Sequence, residues 1–310
     1  YEMIVTFTMN PAIDRTLLVP DFEPGKVNHV ATTIIDAGGS GVNVCRALKV
    51  MGTDSMTCGF IAGKNGRFIK DYLTSLAIPC DFVDVPGETR INIKIVDHNG
   101  VHTDINESGF EIHESDFNRL KERMTQYVRR DNSIVLCGST PPNLPVEQYG
   151  QICQIISTRG CELFLDTSGK LLLEGLKAKP VFVKPNVQEL EATLGERFTS
   201  HEDICRGARE LIGLGAQNVV VSMGAEGAIF MNSAQSCFVQ APKVPVRGPV
   251  GAGDVMTAAN LHARLNRMHF ETTACYAVAA ASASVTVEGT RMAQRRDILK
   301  LFSGLRAVRI

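Results

Sequence analysis

Ser133-Ile-Val-Leu-Cys137, then Val146-Glu-Gln-Tyr-Gly-Gln-Ile-Cys-Gln-Ile-Ile-Ser-Thr158, then Cys161-Glu-Leu-Phe-Leu165 read as strand, amphipathic helix, strand. The outer two runs are short and apolar throughout, as a strand covered on both faces requires, and the middle one has helical spacing. Two such strands joined through a helix pair in parallel, so this stretch sets the fold class. Toward the C-terminus the same grammar repeats. Helix 171–176 precedes strand 181–183, and helices 189–194 and 202–214 precede strand 218–222. Strands 228–231 and 236–240 follow, then a helix starting at Gly251, an Ala-rich helix over 274–285 and a last helix over 293–305. Toward the N-terminus come helix 117–130, strand 81–85, helix 65–77, strand 55–61, helix 42–51 and a β-branched first strand over 3–9. The expectation is an α/β fold: three α/β/α layers around a mostly parallel central sheet, formed by one domain over 1–310.

Two segments break this grammar. Apolar runs 16–20 and 29–35 flank Asp-Phe-Glu-Pro-Gly-Lys with no helix between them. Runs 88–97 and 101–106 alternate around His98-Asn-Gly100, a strong hairpin signal. These two excursions, about 12–36 and 89–107, predict one small β-sheet that would lie over the site as a lid.

Bulk composition narrows the function. With 44% hydrophobic and 21% charged residues among 310, the chain can bury a large core as an ordinary globular protein. The net charge of −1 supplies no global field for nucleic acid, so an anionic ligand must be held by local cations. Nine cysteines without a C-x-x-C pair argue against a disulfide framework and for a reduced, cytoplasmic setting. No basic n-region opens the sequence and no apolar run has the length of a membrane span, so neither a signal peptide nor a membrane partner is expected.

Candidate chemistry collects where strands should end. Arg247-Gly-Pro-Val-Gly-Ala-Gly-Asp254 places Gly251, Ala252 and Gly253 at the start of a long helix, where unpaired N–H groups and the helix dipole make an anion cradle. Asp254 would repel an anion there. It makes sense as a base that takes a proton from a hydroxyl attacking a phosphoryl group, and reads as well as an ordinary N-cap. Asn10-Pro-Ala-Ile-Asp14 puts a carboxylate just past the first strand, where Asp14 could also be a turn residue. Gly38-Gly39-Ser40-Gly41-Val42-Asn43 sets glycines before a helix with an amide in its first turn, or simply a tight turn. Lys184-Pro-Asn186-Val-Gln-Glu189 offers a cation, an amide and a carboxylate, and equally an N-cap pair. Ser222-Met-Gly224-Ala225-Glu226-Gly227 is a strand ending in a glycine loop, or a hairpin. Taken together, anion loops, a base and polar groups at several strand ends favour a site.

With Gly87-Glu-Thr-Arg90 and Gly138-Ser139-x-Pro-Pro142 added, seven motifs stand in one order along essentially the whole chain. The chain resembles the ribokinase-like (PfkB) carbohydrate kinases, in the branch of 1-phosphofructokinase, tagatose-6-phosphate kinase and the minor type of 6-phosphofructokinase. The resemblance implies that Asp254 is the general base, with Gly251, Ala252 and Gly253 stabilising the transferring phosphoryl group. It implies that Lys184, Asn186, Ser222, Gly224, Ala225, Glu226, Gly227 and Gly253 contact ATP. Asn186 and Glu189 would organise Mg2+ through water. Asp14, Gly38, Gly39 and Asn43 would hold sugar hydroxyls, with Ser139 nearby. Arg90 suits an acceptor already carrying a phosphate, since a guanidinium forks onto phosphate better than onto a hydroxyl. Lys26 is a candidate second cation, or a solvated lid charge.

Some positions depart from the family pattern. Ser40 stands where many members of the branch carry Lys, Thr140 and Asn143 replace Leu and Gly, Val255 replaces a small or hydroxyl residue, and Ala259 replaces Gly. The implied activity is ATP- and Mg2+-dependent phosphorylation of a ketohexose monophosphate. Fructose 1-phosphate comes first, tagatose 6-phosphate second and fructose 6-phosphate third. A non-catalytic phosphosugar-binding protein is the reading from another class, and a ribose or nucleoside kinase the enzymatic outsider. A homodimer through the lid is expected, because small sheets with free edges tend to be covered.

Overall fold

A computed structural model describes residues 2–98, 101–248, 251–289 and 291–310. Pro249 and Val250 of the glycine-rich motif, and Asn99-Gly100 of the hairpin turn, lie outside the described residues. The large sheet contains β1 (Ile4–Thr8), β4 (Ser55–Ala62), β5 (Cys80–Val85), β8 (Ser133–Cys137), β9 (Glu162–Asp166), β10 (Phe182–Val183), β11 (Asn218–Ser222), β12 (Gly227–Asn232), β13 (Ser236–Gln240) and β14 (Ala307–Arg309). The small sheet is made of β2 (Ala12–Leu18), β3 (Thr32–Gly38), β6 (Arg90–Val96) and β7 (His102–Asn106). The helices are α1 (Ser40–Met51), α2 (Gly63–Ser75), α3 (Glu114–Tyr127), α4 (Val146–Thr158), α5 (Gly169–Leu176), α6 (Val187–Leu194), α7 (His201–Gly213), α8 (Ala252–Leu265), α9 (Phe270–Ser284) and α10 (Arg295–Phe302).

Across the large sheet the order is β14-β13-β12-β11-β10-β9-β8-β1-β4-β5. From β11 to β5 every pairing is parallel, and β12, β13 and β14 extend it antiparallel. Alternate residues of one strand face opposite layers. Ile134 and Leu136 of β8 join the core under α3 to α7, while Val135 and Cys137 join the core under α1, α8, α9 and α10. That two-sided burial is what the uninterrupted apolar runs signalled. All nine cysteines are free thiols, and only Cys80 is partly exposed. No helix among the described residues is long and apolar enough to cross a membrane.

The small sheet has the order β3-β2-β6-β7, with β2 and β6 parallel and the other two pairings antiparallel. Two of its strands are displaced from the apolar runs. β2 begins at Ala12 rather than Thr16, and β3 runs on to Gly38 rather than stopping at Ile35. Polar Asp14 and Asp36 sit opposite one another inside the ladder, and an apolar-run criterion passes over such positions. The C-terminal β14 was not foreseen, because three residues at the chain end pairing only with β13 leave no periodic signal.

Candidate active site

The parallel strands all deliver their C-terminal ends to one edge, and the polar residues collect there. Gly251 is the N-cap of α8 at φ 80°, a left-handed conformation that glycine adopts without strain. Among the described residues no side chain caps this helix, so the N–H groups of its first turn remain free for an anion. Asp254 is therefore not the N-cap. It lies in the first turn, and its Oδ2 accepts a hydrogen bond from Asn43 Nδ2 at 2.9 Å.

Behind Asp254 stand two groups that motif reading passed over. Asp166, the last residue of β9, accepts from the Thr257 hydroxyl at 2.7 Å and lies 3.1 Å from Lys184 Nζ. Gly253 makes room for that ammonium, since a Cβ there would stand 3.0 Å from Nζ. Burial pushes Asp254 up to about 7, and the Asp166 charge adds to the shift. Hydrogen bonds from Asn43 and Ser40, and the Lys184 charge, oppose it. Burial alone would pull Lys184 down, but Asp166, Glu189 and Asp254 outweigh it and hold the ammonium above its ordinary value.

Two cavities meet at Ser222 and Gly253. One, about 520 Å³, is lined by Asp254, Asp166, Lys184, Asn186, Glu189 and Ser139 among others. The other, about 420 Å³, is walled by Val244, Val246, Met256, Val278 and Val285, with Gly224, Ala225 and Gly227 at its edge. Asn186 and Glu189 form a reciprocal cap on α6, Asn186 N–H donating to Glu189 Oε2 at 2.7 Å and Glu189 N–H to Asn186 Oδ1 at 2.8 Å. Capping and lining coexist, so the two readings of Asn-x-x-Glu do not compete.

On the small-sheet side, Asp14 lies within β2 rather than in a turn, and Asn92 Nδ2 donates to its Oδ1 at 3.0 Å. Burial raises the Asp14 carboxyl and Asp36 adds to that, against Asn92, Arg46 and Arg90. A Cβ on Gly38 would fall 2.1 Å from Asp14 Oδ2, so only glycine leaves this carboxylate in place. The carbonyl of Gly39, which caps α1, accepts from the Asn43 N–H at 3.0 Å and aims the first turn at Asp254. Arg90 Nη2 donates to Ser139 Oγ at 3.0 Å and Nη1 to the Glu107 carbonyl at 3.2 Å, while its Nε is buried without a partner among the described residues. Burial lowers the Arg90 guanidinium, offset in part by Asp14 and Glu107.

Two candidates stand apart from this cluster. Lys26 is largely exposed and pairs with Glu23. Glu226 reaches His201 at 3.5 Å and lines a neighbouring cavity of about 480 Å³ rather than either of the two above. Besides Asp166 and Thr257, motif reading missed Asn92 and Arg46. A carboxylate closing the apolar run Leu-Phe-Leu-Asp166 was the available signal for the first of them. The departures from the family pattern are accommodated. Asn143 clamps Ile112 through both N–H and C=O, Val255 is buried against α1 and α9, and Ser40 lines the larger cavity.

The profile of the pfkB family carbohydrate kinases matches residues 5–296. The 1-phosphofructokinase of Borreliella burgdorferi is 34% identical over 307 residues, covering 98% of both chains. The 1-phosphofructokinase of Escherichia coli K12 is 33% identical over 301 residues, covering 97% of this chain and 96% of that protein. The crystal structure of phosphofructokinase-2 from Escherichia coli, in complex with substrates and products, superposes with a TM-score of 0.93. It is 28% identical and covers 97% of this chain and 99% of its own.

Proposed function

The chain belongs to the pfkB family of carbohydrate kinases, and from that premise we propose that it transfers the γ-phosphoryl group of ATP to the free primary hydroxyl of fructose 1-phosphate. The products are fructose 1,6-bisphosphate and ADP. The observation that carries the chemistry is Asp254, a buried carboxylate raised to about 7, held by Asn43 beside the uncapped start of α8. A carboxylate raised toward neutrality is a stronger base than an ordinary aspartate, as taking a proton from a hydroxyl requires.

Asp254 takes the proton of the acceptor hydroxyl as the oxygen attacks the γ-phosphorus. The bond from phosphorus to the bridging β–γ oxygen breaks, and its electron pair leaves with ADP. The first-turn N–H groups of α8 stabilise charge on the moving phosphoryl group. Lys184, fixed by Asp166, adds positive charge beside Gly253 at that helix start. Adenosine fits the apolar cavity walled by Val244 and Met256, and the phosphates fit the polar one.

Among the described residues, Asp166, Glu189 and Asp254 line that polar cavity against Lys184 alone, so a polyanion needs further positive charge there. Hard oxygen donors of this kind fit Mg2+, with Asn186 and Glu189 holding it through water. When bound, the ion neutralises phosphate charge.

Asp14, Gly38, Gly39 and Asn43 hold the sugar hydroxyls, and Arg90 with Ser139 grips the phosphate already on the acceptor. Fructose 1-phosphate is preferred because the relatives of greatest identity named above are 1-phosphofructokinases. A ketohexose has a primary carbon at each end, so tagatose 6-phosphate and fructose 6-phosphate rank second and third. A coupled assay comparing kcat/KM across the three is expected to favour fructose 1-phosphate by roughly tenfold or more. A higher kcat/KM for either 6-phosphate would overturn the choice of acceptor.

The assembly proposed is a homodimer through the small sheet, with that sheet as a lid. In register, Ile13, Ala37 and Ile91 share one of its faces with Arg15, Ile35 and Ile93, and then with Leu17, Thr33 and Ile95. The first three pack on α1 and α2, but the face continues beyond them, with Ile35 at 46% and Ile105 at 53% exposure. A second copy laid across this face would cover the isoleucines and could offer an acceptor to Arg15 Nε, which is buried without a partner among the described residues.

A further inference from the structure

Arg46 lies on α1 and is 3% exposed. A buried cation must be held by acceptors, and among the described residues three hold it. Nη1 donates to the Ala37 carbonyl at 3.1 Å and to Asn43 Oδ1 at 3.2 Å, and Nη2 donates to the Tyr72 hydroxyl at 3.0 Å. The guanidinium also lies 5.2 Å from the centre of the Tyr72 ring. Ala37 and Tyr72 tie α1 to β3 and α2. Asn43 does something else, since its Nδ2 is the group that meets Asp254 Oδ2 at 2.9 Å.

A side-chain amide has an accepting end and a donating end, and the partner of one end decides where the other points. Arg46 has only donors, so it claims Oδ1 and leaves the NH2 toward the carboxylate. The three-residue spacing along α1 keeps Arg46 and Asn43 on one face of the helix. We propose that Arg46 is a positioning residue for phosphoryl transfer, fixing through Asn43 the donor that orients the general base. The proposal rests on the reading of Asp254 as that base.

Without Arg46 the amide is free to turn its oxygen toward Asp254 or swing away. Either movement removes a donor from the carboxylate and raises its proton affinity. The other groups acting on Asp254 stay where they are: Ser40 from α1, Asp166 from β9, Lys184 after β10 and Cys137 from β8. Arg46 itself is faced by Asp14 of β2 and Tyr72 of α2, with Asp36 of β3 acting on Asp14. Its loss therefore also alters the sugar pocket, whereas Arg46→Lys keeps the charge and gives up the fork.

The test is steady-state kinetics with fructose 1-phosphate and ATP across pH for Arg46→Lys, Arg46→Gln and Tyr72→Phe, beside thermal melting. For both Arg46 variants kcat should fall roughly tenfold or more and KM for ATP should stay within about twofold. The acid limb of kcat should move to higher pH by about half a unit or more. Tyr72→Phe keeps Nη1 on Asn43, so its limb should stay at the wild-type position even if it melts earlier. Folded Arg46 variants with wild-type kcat and limb would overturn the proposal, and so would failure of both to fold, which would make Arg46 structural. A wild-type enzyme with no acid limb near neutrality would instead sink the reading of Asp254.

Discussion

Asp254 sits where its charge is expensive. Its native-state affinity for a proton is far above that of an unfolded chain, because burial and Asp166 outweigh the donors Asn43 and Ser40. A carboxyl whose folded value is raised destabilises the native state above that value, and the penalty fades as pH falls and the native carboxyl takes up its proton. Asp254→Asn removes the charge while keeping the shape. The variant should be more stable than the wild type at pH 8, and the gap should narrow between about pH 7 and pH 4. Denaturant melts at pH 8 and pH 5 check this, and an equal or wider gap at pH 5 would show that the carboxyl is not strained. Asp254, Asn43 and Arg90 were readable in sequence because each stands in a short motif of small or polar residues. Asp166 and Asn92 were not, because each meets a partner that only the fold brings near; nor was Arg46, whose helical neighbour Asn43 gains its weight only once the fold sets Asp254 against it. Asp166 meets Thr257 across 91 positions, and Asn92 meets Asp14 across 78.

At the scale of elements, two helix starts do most of the positioning, and they differ in kind. α8 begins uncapped at Gly251, leaving its N–H groups for a ligand, whereas α6 begins with a completed capping box. Asn186→Ala breaks that box and should lower stability by about 1 kcal/mol in urea unfolding. It should also raise the Mg2+ concentration needed for half-maximal rate, whereas a cap without a metal role would leave that concentration unchanged. The helices and apolar strands were legible because periodicity reports burial. The small-sheet strands were legible in outline only. Their polar faces carry Asp14, Thr16, Asp36, Asn92 and Lys94, which look like loop residues until register pairs them.

For the whole molecule, the three layers and the mostly parallel sheet were legible in alternating helices and apolar strands, while strand order and assembly were not, since an exposed isoleucine is unremarkable until its neighbours are known to share its face. If the small sheet forms a dimer interface, Ile93→Lys places a charge in its middle. Light scattering should then give a dimer for the wild type and a monomer for the variant at micromolar concentration. A monomeric wild type would remove the interface altogether. The central claim is that one carboxylate, held by Asn43 beside an uncapped helix start, activates a sugar-phosphate hydroxyl toward ATP. It is tested most directly by the single-turnover rate of phosphoryl transfer to fructose 1-phosphate by folded Asp254→Asn. The expected result is a loss of roughly a thousandfold or more with nucleotide binding retained. A rate within about tenfold of the wild type would contradict it.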